Sequence, residues 1–492
     1  MRTNTVKRVK KKRVSVQSQP QLSVIIPAQN EAKSIGRVIY EAKKIARYTE
    51  VIVVCNGCKD QTERVAKKAG ARVLSFTEPL GHDVGRAIGA QHARGPILLF
   101  LDADFAISHT ILKKFYLAVR CGCDVALNAY SGYTTKTTMH STSEAKRMLN
   151  RLLKRPDLLG SSLTSIPHAM TKEAASIIGI DNLCVPPLAQ ARAVLSGLQI
   201  KKAVHINVSR LNMRRKRKSN YVERMILADH AEAIAYVMKH DDTTYDSSFQ
   251  IDEKPLANNV IIMSDIDRET RISLVFMVQN ESEISAIQKQ LSKVSFDKNK
   301  RISSAEKLFA FVDASGPLNA RIHAAELAKG EIIVFVDGGK KISFKLLLAL
   351  IDACERGADV AIPPIRPKPR KLMDLGLAWQ ASRYMNRMLG ASQLGFASLL
   401  TLPHAFKTVA IHRIGPLHLS NPALAQVIAL TQGLQLKVAK LPHGLFLSSS
   451  VMEEEWAFIA QLNALGYLQQ QYGTRLFDPD LTRRREQIAL NT

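Results

Sequence analysis

Long hydrophobic runs are absent from this 492-residue chain. No stretch approaches the roughly 18 uninterrupted apolar residues that a membrane-spanning helix needs. The apolar segment nearest the basic N-terminus, Leu22–Ala28, is too short for the core of a secretory signal, and polar residues follow it. We therefore expect a cytoplasmic protein that has no membrane-spanning helix.

Cysteine is also scarce, with six in the whole chain. Cys55 with Cys58, and Cys121 with Cys123, form two closely spaced pairs. Neither is accompanied by the second spaced pair that is typical of a zinc site. The low count also excludes a disulfide scaffold, so we expect reduced structural thiols.

Acidic residues are too few to balance the basic ones: 43 Asp and Glu face 69 Lys and Arg, a formal net charge of +26. Residues 2–13 hold seven basic residues and no acid, and residues 214–218 are all basic. Such runs are costly to bury, so we expect them in solvent. They favour either solubility or attraction to an anionic membrane surface, which would place the protein peripherally on the inner face of the membrane. Nucleic-acid binding is disfavoured, because no aromatic residues alternate with the runs and no nucleic-acid module accompanies them.

Four short motifs occur twice in the same order. Each is followed here by its second copy: 23–31 and 273–281, 95–102 and 330–337, 167–169 and 403–405, 188–190 and 424–426. The offset changes only through gaps. The pattern indicates tandem duplication of a unit of roughly 200–230 residues, the size of a domain. The sequence does not define an oligomeric state.

Within the first repeat, short β-branched runs alternate with helical patterns. The predicted strands are Leu22–Ile26, Val51–Val54, Val73–Ser75, Ile97–Leu101 and Val125–Leu127; the predicted helices are Ala32–Arg47, Gln61–Ala69 and Val84–Ala93. This alternation predicts an α/β fold with a mostly parallel sheet. Ligands bind such sheets at the carboxyl ends of the strands, where 27–31, 55–60 and 102–104 fall.

The same patterns predict five parts of the chain. We expect a basic tail over 1–20, a first domain over 21–240, a polar linker over 241–269, a second domain over 270–475 and a basic tail over 476–492. Amphipathic helices, Asn220–His240 and Met452–Tyr472, would close the two domains.

Two carboxylates follow the fourth predicted strand. Asp102 and Asp104 are two residues apart, so both could face one Mg²⁺ or Mn²⁺ ion, which prefer oxygen ligands. Upstream, Gly81–Ala87 forms a loop that opens a helix, and its Arg86 could meet phosphate oxygens. A site for a metal ion and a diphosphate is therefore predicted.

Four ordered segments resemble family 2 glycosyltransferases of the GT-A fold. They are Ser23–Glu31, Val53–Thr62, Gly81–Ala90 and Phe100–Asp104. The resemblance is to the branch that includes dolichyl-phosphate mannosyltransferases and glucosyl-phosphoglycerate synthases. It covers about 200 residues of the first repeat strongly and the second repeat weakly. It implies two tandem GT-A domains of the nucleotide-diphospho-sugar transferase type.

The resemblance also implies roles for individual residues. Asp102 would face the ribose or the metal, Asp104 would bind the metal, and Arg86 would stabilise the departing diphosphate of a UDP- or GDP-linked sugar. Asn56 replaces the Asp that usually reads the base. His230 is the candidate third metal ligand. The expected nucleotide-binding residues are Pro27, Ala28, Asn30, Glu31, Asn56, Asp60, Gly81 and Asp102.

The catalytic base is not evident. Inverting members carry an acidic pair where this chain has Pro186 and Pro187. Asp181 or Asp229 could substitute, or the enzyme could retain configuration and need no such base. His168 recurs in the second repeat as His404, which favours a structural role.

The second repeat has lost the residues expected to carry the chemistry. Gly339 replaces Asp104, and Ala460 and Gln461 stand opposite Asp229 and His230, whereas Arg321 still matches Arg86. We expect an inactive domain that serves as a packing surface, acceptor platform or oligomer interface.

The sequence therefore predicts metal-dependent transfer of a sugar to a lipid phosphate, glycan or small phosphorylated acceptor. The alternative from another class is a non-catalytic protein that binds nucleotide or polysaccharide. A nucleotidyltransferase is disfavoured, because the glycine-rich first loop of such enzymes is absent after Ile26.

Overall fold

The computed structural model describes residues 19–132, 139–211, 220–240, 260–262, 271–293, 300–312, 318–365, 376–441 and 454–489. The chain folds into two compact units. The first comprises Met1–Tyr130, Ser161–Met213 and Thr482–Thr492; the second comprises Ser131–Gly160 and Arg214–Leu481. Both basic runs, 2–13 and 214–218, lie outside the described residues.

Each unit contains seven strands. Those of the first unit are β1 (Leu22–Ala28), β2 (Thr49–Asn56), β3 (Arg72–Phe76), β4 (Ile97–Phe100), β5 (Val125–Asn128), β6 (His168–Thr171) and β7 (Ile200–Val204). Those of the second are β8 (Val260–Ile262), β9 (Ile272–Val278), β10 (Glu306–Phe311), β11 (Ile332–Asp337), β12 (Val360–Ile362), β13 (His404–Lys407) and β14 (Leu436–Val438).

Eighteen α-helices occur in the described part of the chain. They are α1 (Ile35–Lys43), α2 (Thr62–Lys68), α3 (Val84–Gln91), α4 (His109–Arg120), α5 (Ser141–Leu152), α6 (Lys172–Ile178), α7 (Pro186–Leu195), α8 (Val208–Leu211), α9 (Asn220–His240), α10 (Glu281–Leu291), α11 (Lys300–Ser303), α12 (Leu318–Leu327), α13 (Phe344–Glu355), α14 (Leu377–Met388), α15 (Thr408–Ile414), α16 (Pro422–Thr431), α17 (Glu454–Tyr472) and α18 (Glu486–Ala489). Among them, none combines the length and the apolar character needed to cross a bilayer.

The sheet of the first unit has the order β3-β2-β1-β4-β6-β5-β7. The central strand β1 is parallel to β2 and β4, and its apolar side chains are buried on both faces because helices cover the sheet. All five predicted strands are present. The sheet is mixed, however, since β6 is antiparallel to both β4 and β5. Neither β6 nor β7 was predicted.

The sheet of the second unit repeats this order. Its strands run β8-β10-β9-β11-β13-β12-β14. In this order β9 corresponds to β1, β10 to β2 and β11 to β4. The edge differs: β8 lies antiparallel to β10 where the first unit has the parallel strand β3. The predicted linker over 241–269 therefore contains a strand, because its apolar residues Val260–Ile262 complete the sheet edge.

A buried serine–glutamate bridge fixes the first and second strands in both units. In the first, Ser23 Oγ donates to Glu50 Oε2 (2.7 Å) and accepts from Gly95 N–H (2.9 Å). In the second, Ser273 Oγ donates to Glu306 Oε2 (2.5 Å) and accepts from Gly330 N–H (2.9 Å). The bridge joins the start of β1 or β9 to the turn that leads into β4 or β11.

The two compact units do not follow the predicted boundary at residue 240. Helices α5 and α9, assigned by sequence to the first domain, belong to the second unit and pack there with α14 and α17. Two ion pairs join these elements: Arg383 Nη1 of α14 is 2.7 Å from Glu144 Oε1 of α5, and Arg475, which follows α17, pairs with Asp229 of α9. An amphipathic pattern shows that a helix buries one face, but not which element covers it.

The compact units also differ from the predicted boundary at residue 475. The described C-terminal residues from Thr482 to Ala489 are part of the first unit rather than a free tail. Their basic composition suggested solvent exposure, yet Arg483 is only 5% exposed.

The Ser23 bridge yields a test of the shared scaffold. Ser23→Ala leaves the Gly95 N–H without its acceptor, which should destabilise the first unit by about 1–3 kcal/mol. In hydrogen exchange followed by mass spectrometry, amides of β1, β2 and β4 should exchange faster. The matched variant Ser273→Ala should accelerate exchange in β9, β10 and β11 instead. Equal acceleration in both units by either variant would contradict the assignment.

Candidate functional site

The loops that follow β1 and β2 are bonded together at the carboxyl edge of the first sheet. Glu31 N–H donates to Thr62 Oγ1 (2.7 Å), and Ala32 N–H donates to Asp60 Oδ2 (3.1 Å). The Asp60 carboxylate also accepts from the backbone and side chain of Thr62. Burial opposes ionisation of Asp60, but these hydrogen bonds outweigh it and lower its pKa. Asp60 thus has a clear structural task, which sequence reasoning did not assign to it.

Asn30 completes this connection. Its backbone is left-handed, with φ 56°, and its Oδ1 accepts from Lys59 N–H (2.7 Å). Pro27 and Ala28 lie at the end of β1 beneath the same loops, and Cys58 Sγ donates to Ala28 O (3.2 Å). The predicted nucleotide-binding residues of β1 and β2 are therefore brought to one edge.

Asn56, at the end of β2, holds the loop before α3. Its Nδ2 donates to Gly81 O (3.0 Å), and its Oδ1 accepts from Leu80 N–H. Gly81 has φ 88°, a conformation that favours glycine. Because both the amide nitrogen and the amide oxygen of Asn56 form hydrogen bonds with this loop, Asn56 anchors the loop to the end of β2. Its role in reading a base stays a prediction.

Two glycines let α3 lie directly on β1. A Cβ at Gly89 would collide with the side chain of Ile25, and one at Gly85 would lie 3.1 Å from Pro27 Cβ. This close approach buries Arg86, which is 6% exposed and whose Nη1 donates to Leu163 O (3.5 Å). The helix thereby carries a guanidinium to the strand ends.

Arg86 is paired mainly with Asp83. Its Nη2 lies 3.0 Å from Asp83 Oδ1 and 3.8 Å from Asp102 Oδ1. Asp83 precedes α3 with φ 66°, and it also lies 2.9 Å from Nδ1 of His82. Burial opposes ionisation of Asp83, but the charges of Arg86, His82 and Arg483 outweigh it and hold its pKa well below the usual range. The Asp83 charge in turn raises the pKa of His82.

Neither Asp83 nor His82 was singled out from the sequence. The available signal was an acidic residue directly before a predicted helix, a position where a carboxylate often caps the helix. Here the side chain makes no such cap.

Asp102 and Asp104 follow β4, as predicted. The Asp102 side chain is 40% exposed, yet desolvation at this edge raises the pKa of its carboxyl; Arg86 opposes the rise, and Asp104 and Asp83 reinforce it. The Oδ1 atom of Asp104 is buried and has no hydrogen-bond partner. An unpartnered buried carboxylate oxygen is costly, so Asp104 is a candidate ligand-binding group.

A small, partly open cavity adjoins Arg86. It is lined by Arg86, Phe100, Leu163, His168, Leu183, Pro186 and Ala189. His168 stacks near Phe100, with ring centroids 4.9 Å apart, and burial lowers its pKa to about 3. The imidazole is therefore neutral near pH 7. Pro186 begins α7 and places no carboxylate here.

His230 and Asp229 lie elsewhere. Both are on α9, which belongs to the second unit, whereas Asp104 belongs to the first. His230 is fully buried, its Nδ1 is 2.6 Å from Ile226 O, and burial lowers its pKa to about 4. The structure places His230 as a buried residue of α9 in the second unit, and its role as a third metal ligand stays a prediction. Asp229 forms an ion pair with Arg475, while Asp181 stays exposed in the first unit.

Preformed multi-ligand metal sites are not found in the part of the chain that the structure describes. No group of three or more His, Cys, Asp or Glu residues there could hold a metal ion. All six cysteines have free thiols.

The second unit keeps the arginine but not its partners. Arg321, on α12, is 2% exposed, and its Nε and Nη2 have no hydrogen-bond partner. Burial lowers the pKa of Arg321 to about 10, a shift that Asp337 opposes. Asp337 instead lies 2.7 Å from Lys340, and Gly339 occupies the place of Asp104.

Residues 23–175 match the sequence model of glycosyl transferase family 2. Among curated proteins, the chain is 30% identical over 94 residues to a 4,4'-diaponeurosporenoate glycosyltransferase of Staphylococcus haemolyticus, covering 18% of this chain and 25% of that protein. It is 30% identical over 104 residues to a dolichyl-phosphate hexose transferase of Haloferax volcanii, covering 21% and 45%. The chain therefore spans less than half the length of these relatives.

Solved structures were compared as well. A glucosyl-3-phosphoglycerate synthase of Mycobacterium tuberculosis in complex with uridine diphosphate matches with 21% identity and a TM-score of 0.34, covering 45% of this chain and 80% of that one. The same synthase in complex with Mn²⁺, uridine diphosphate and glucosyl-3-phosphoglycerate matches with 20% identity and a TM-score of 0.33 over the same shares of the two chains.

The two equivalent arginines give opposite expectations for stability. Arg321→Met removes a buried charge whose Nε and Nη2 lack hydrogen-bond partners, so it should raise the free energy of unfolding by about 1–3 kcal/mol. Arg86→Met should lower it, because it leaves the buried Asp83 without its main partner. Denaturant unfolding of the purified variants measures both. A loss of stability in Arg321→Met as large as in Arg86→Met would show that Arg321 is satisfied in solution.

Proposed function

We propose that the first unit is a glycosyltransferase that takes a sugar from a nucleotide diphosphate donor. The unpartnered Oδ1 of Asp104 carries the proposal, because it lies at the strand edge that also bears Asp102 and the Arg86–Asp83 pair. The family 2 match of residues 23–175 covers every one of these residues and supports the reaction class.

The donor set fits Mn²⁺ or Mg²⁺. Asp102 and Asp104 would hold the ion, since both offer carboxylate oxygens and one such oxygen is unpaired. Ions of this class are commonly held by one or two carboxylates together with substrate phosphates, so a third protein ligand is not required. When bound, the metal would neutralise negative charge on the departing diphosphate. The likeness to an Mn²⁺-bound synthase is consistent with this choice but adds no further weight.

Arg86 would bind the donor diphosphate as the sugar leaves. Asp83 fixes the guanidinium from one side at 3.0 Å, so little side-chain freedom is lost when a phosphate oxygen is bound. A preorganised positive group is most effective where negative charge accumulates in the transition state. The loops around Asn30, Asp60 and Asn56 would hold the nucleoside, with UDP or GDP as the donor carrier.

A second function, nucleotide binding without transfer, is favoured by one observation. Pro186, which lines the cavity, stands at the sequence position where inverting relatives carry an acid. The seven residues that line the cavity include no carboxylate. Transfer with retention of configuration would not need that acid. The acceptor is a lipid phosphate, a glycan or a small phosphorylated molecule.

The second unit is proposed to be a degenerate copy of the first. The matching strand order and the repeated serine–glutamate bridge support duplication. Gly339 in place of Asp104 supports loss of activity.

The basic runs at 2–13 and 214–218 are proposed to hold the protein at an anionic, cytoplasmic membrane surface. Each Lys or Arg near such a surface contributes attraction that salt weakens.

The donor site can be tested by thermal shift. UDP or GDP should raise the melting temperature of the wild type only when Mn²⁺ is present, because a ligand that binds the native state stabilises it. Asp104→Ala should abolish this shift and sugar transfer.

Gly339→Ala is the matched control for that experiment. The structure has room for its Cβ, 3.4 Å from Glu283 Oε1, and the shift should persist. An undiminished shift in Asp104→Ala would remove Asp104 from the site. Absence of a shift with either nucleotide in the wild type would overturn the donor site altogether. A shift without transfer would favour the binding function.

Membrane attraction is tested with vesicles. Replacing the seven basic residues of 2–13 by Gln should weaken sedimentation with vesicles containing phosphatidylserine, and high salt should do the same to the wild type. Nucleotide binding should be unchanged. Replacing the five basic residues of 214–218 by Gln measures how much the second run contributes to vesicle binding. Unaltered sedimentation in both variants would leave the charge with a solubility role.

A further inference from the structure

The C-terminal segment Thr482–Ala489, here called the strap, lies along α3 of the first unit. Arg484 N–H donates to Leu80 O (2.8 Å) at the loop before α3. At the other end of the helix, Gln91 Nε2 donates to Ile488 O (3.2 Å), and α18 packs on α3. Ile488 is 2% exposed, so the strap is packed as part of the unit.

The strap and the loop fit without space between them. A Cβ at Gly81 would collide with the carbonyl oxygen of Thr482 and would lie 2.8 Å from Cα of Arg483. Position 81 thus requires glycine for two reasons: the strap leaves no room for a Cβ, and the backbone φ is 88°. The same loop is hydrogen-bonded to Asn56 at the end of β2. The strap and Asn56 therefore both hold this loop.

Arg483 joins two walls of the candidate site. Its side chain is buried, and Nη1 donates to Cys184 O (2.7 Å). Cys184 lies two residues before the start of α7, whose Pro186 lines the cavity, as does Leu183. On the other side, the Arg483 charge helps to keep Asp83 ionised.

We infer that Arg483 is a positioning residue for the diphosphate part of the nucleotide. It acts through the Cys184 carbonyl, to which its Nη1 donates (2.7 Å), and through its packing against Gly81 in the loop that leads to Asp83, the partner of Arg86. The inference rests on the proposed donor site. It adds that the site depends on a residue almost 400 positions beyond Arg86 in the chain.

The test uses full-length protein and three probes, UDP, GDP and uridine, each titrated with Mn²⁺ present. Arg483→Ala should weaken binding of the nucleoside diphosphate by roughly ten-fold or more, as expected when a charge-assisted contact is lost. Uridine lacks the diphosphate, so its weaker binding should change little. A purely structural role would not separate the two kinds of ligand.

Arg484→Ala is the matched control. It removes the same charge one residue away, but its side chain is 43% exposed and pairs with Glu486, and its backbone bond to Leu80 is kept. Its nucleotide affinity should equal that of the wild type. Arg483→Lys should restore part of the affinity, because it returns the charge with fewer donors. If Arg483→Ala does not fold, Arg483→Gln, which keeps a neutral donor, is compared with Arg483→Lys, and lower diphosphate affinity in the glutamine variant is expected.

The outcomes separate the inference from the function on which it rests. A wild type that binds neither UDP nor GDP overturns the donor site. A wild type that binds one of them, together with Arg483→Ala of equal affinity, overturns the role of Arg483 alone. Equal weakening of diphosphate and uridine binding also overturns it, since Arg483 would then support only the general structure.

Discussion

The buried pair of Arg86 and Asp83 is the interaction around which the first unit's strand edge is arranged. Burying a guanidinium is costly unless a carboxylate and further acceptors surround it. Here Asp83 supplies the carboxylate, Leu163 supplies a carbonyl, and Asp102 lies just beyond. The pair lies at the strand edge because Gly85 and Gly89 allow α3 to pack closely against β1. Two small residues in a helix therefore decide where the charge of the site is placed.

The second unit shows what the same scaffold becomes without the partner. Leu318 stands three residues before Arg321, where Asp83 precedes Arg86 by three. The arginine stays buried but loses hydrogen bonds, and its pKa falls. The Ser273–Glu306 bridge is nevertheless intact. The strand framework and the charged edge are thus separable: the first depends on backbone geometry, and the second on a few carboxylates.

Sequence patterns were informative where one local rule decides the structure. The runs that became β1, β2 and β4 are continuous and apolar, and α9 has the bounds that were predicted for it. The position of the two carboxylates at the strand edge was also predicted, because strand ends in α/β sheets converge. Strand β6 was not predicted, because the four residues His168–Thr171 are too few to show a periodic pattern. The compact units differ from the predicted domains because α5 and α9 pack with helices of the second unit.

The strap illustrates a limit of a different kind. Arg483 lies in a run of three arginines, and a local rule assigns such a run to solvent. Its burial depends on the carbonyl of Cys184 and on close packing against Gly81, which are set by tertiary structure and not by neighbouring residues. The entropy of closing a loop grows only slowly with its length, and the second unit, which precedes the strap in the sequence, is itself compact. A distant terminus can therefore be brought to a site at modest cost, so a residue far along the chain is as available to complete a charged cluster as one beside it.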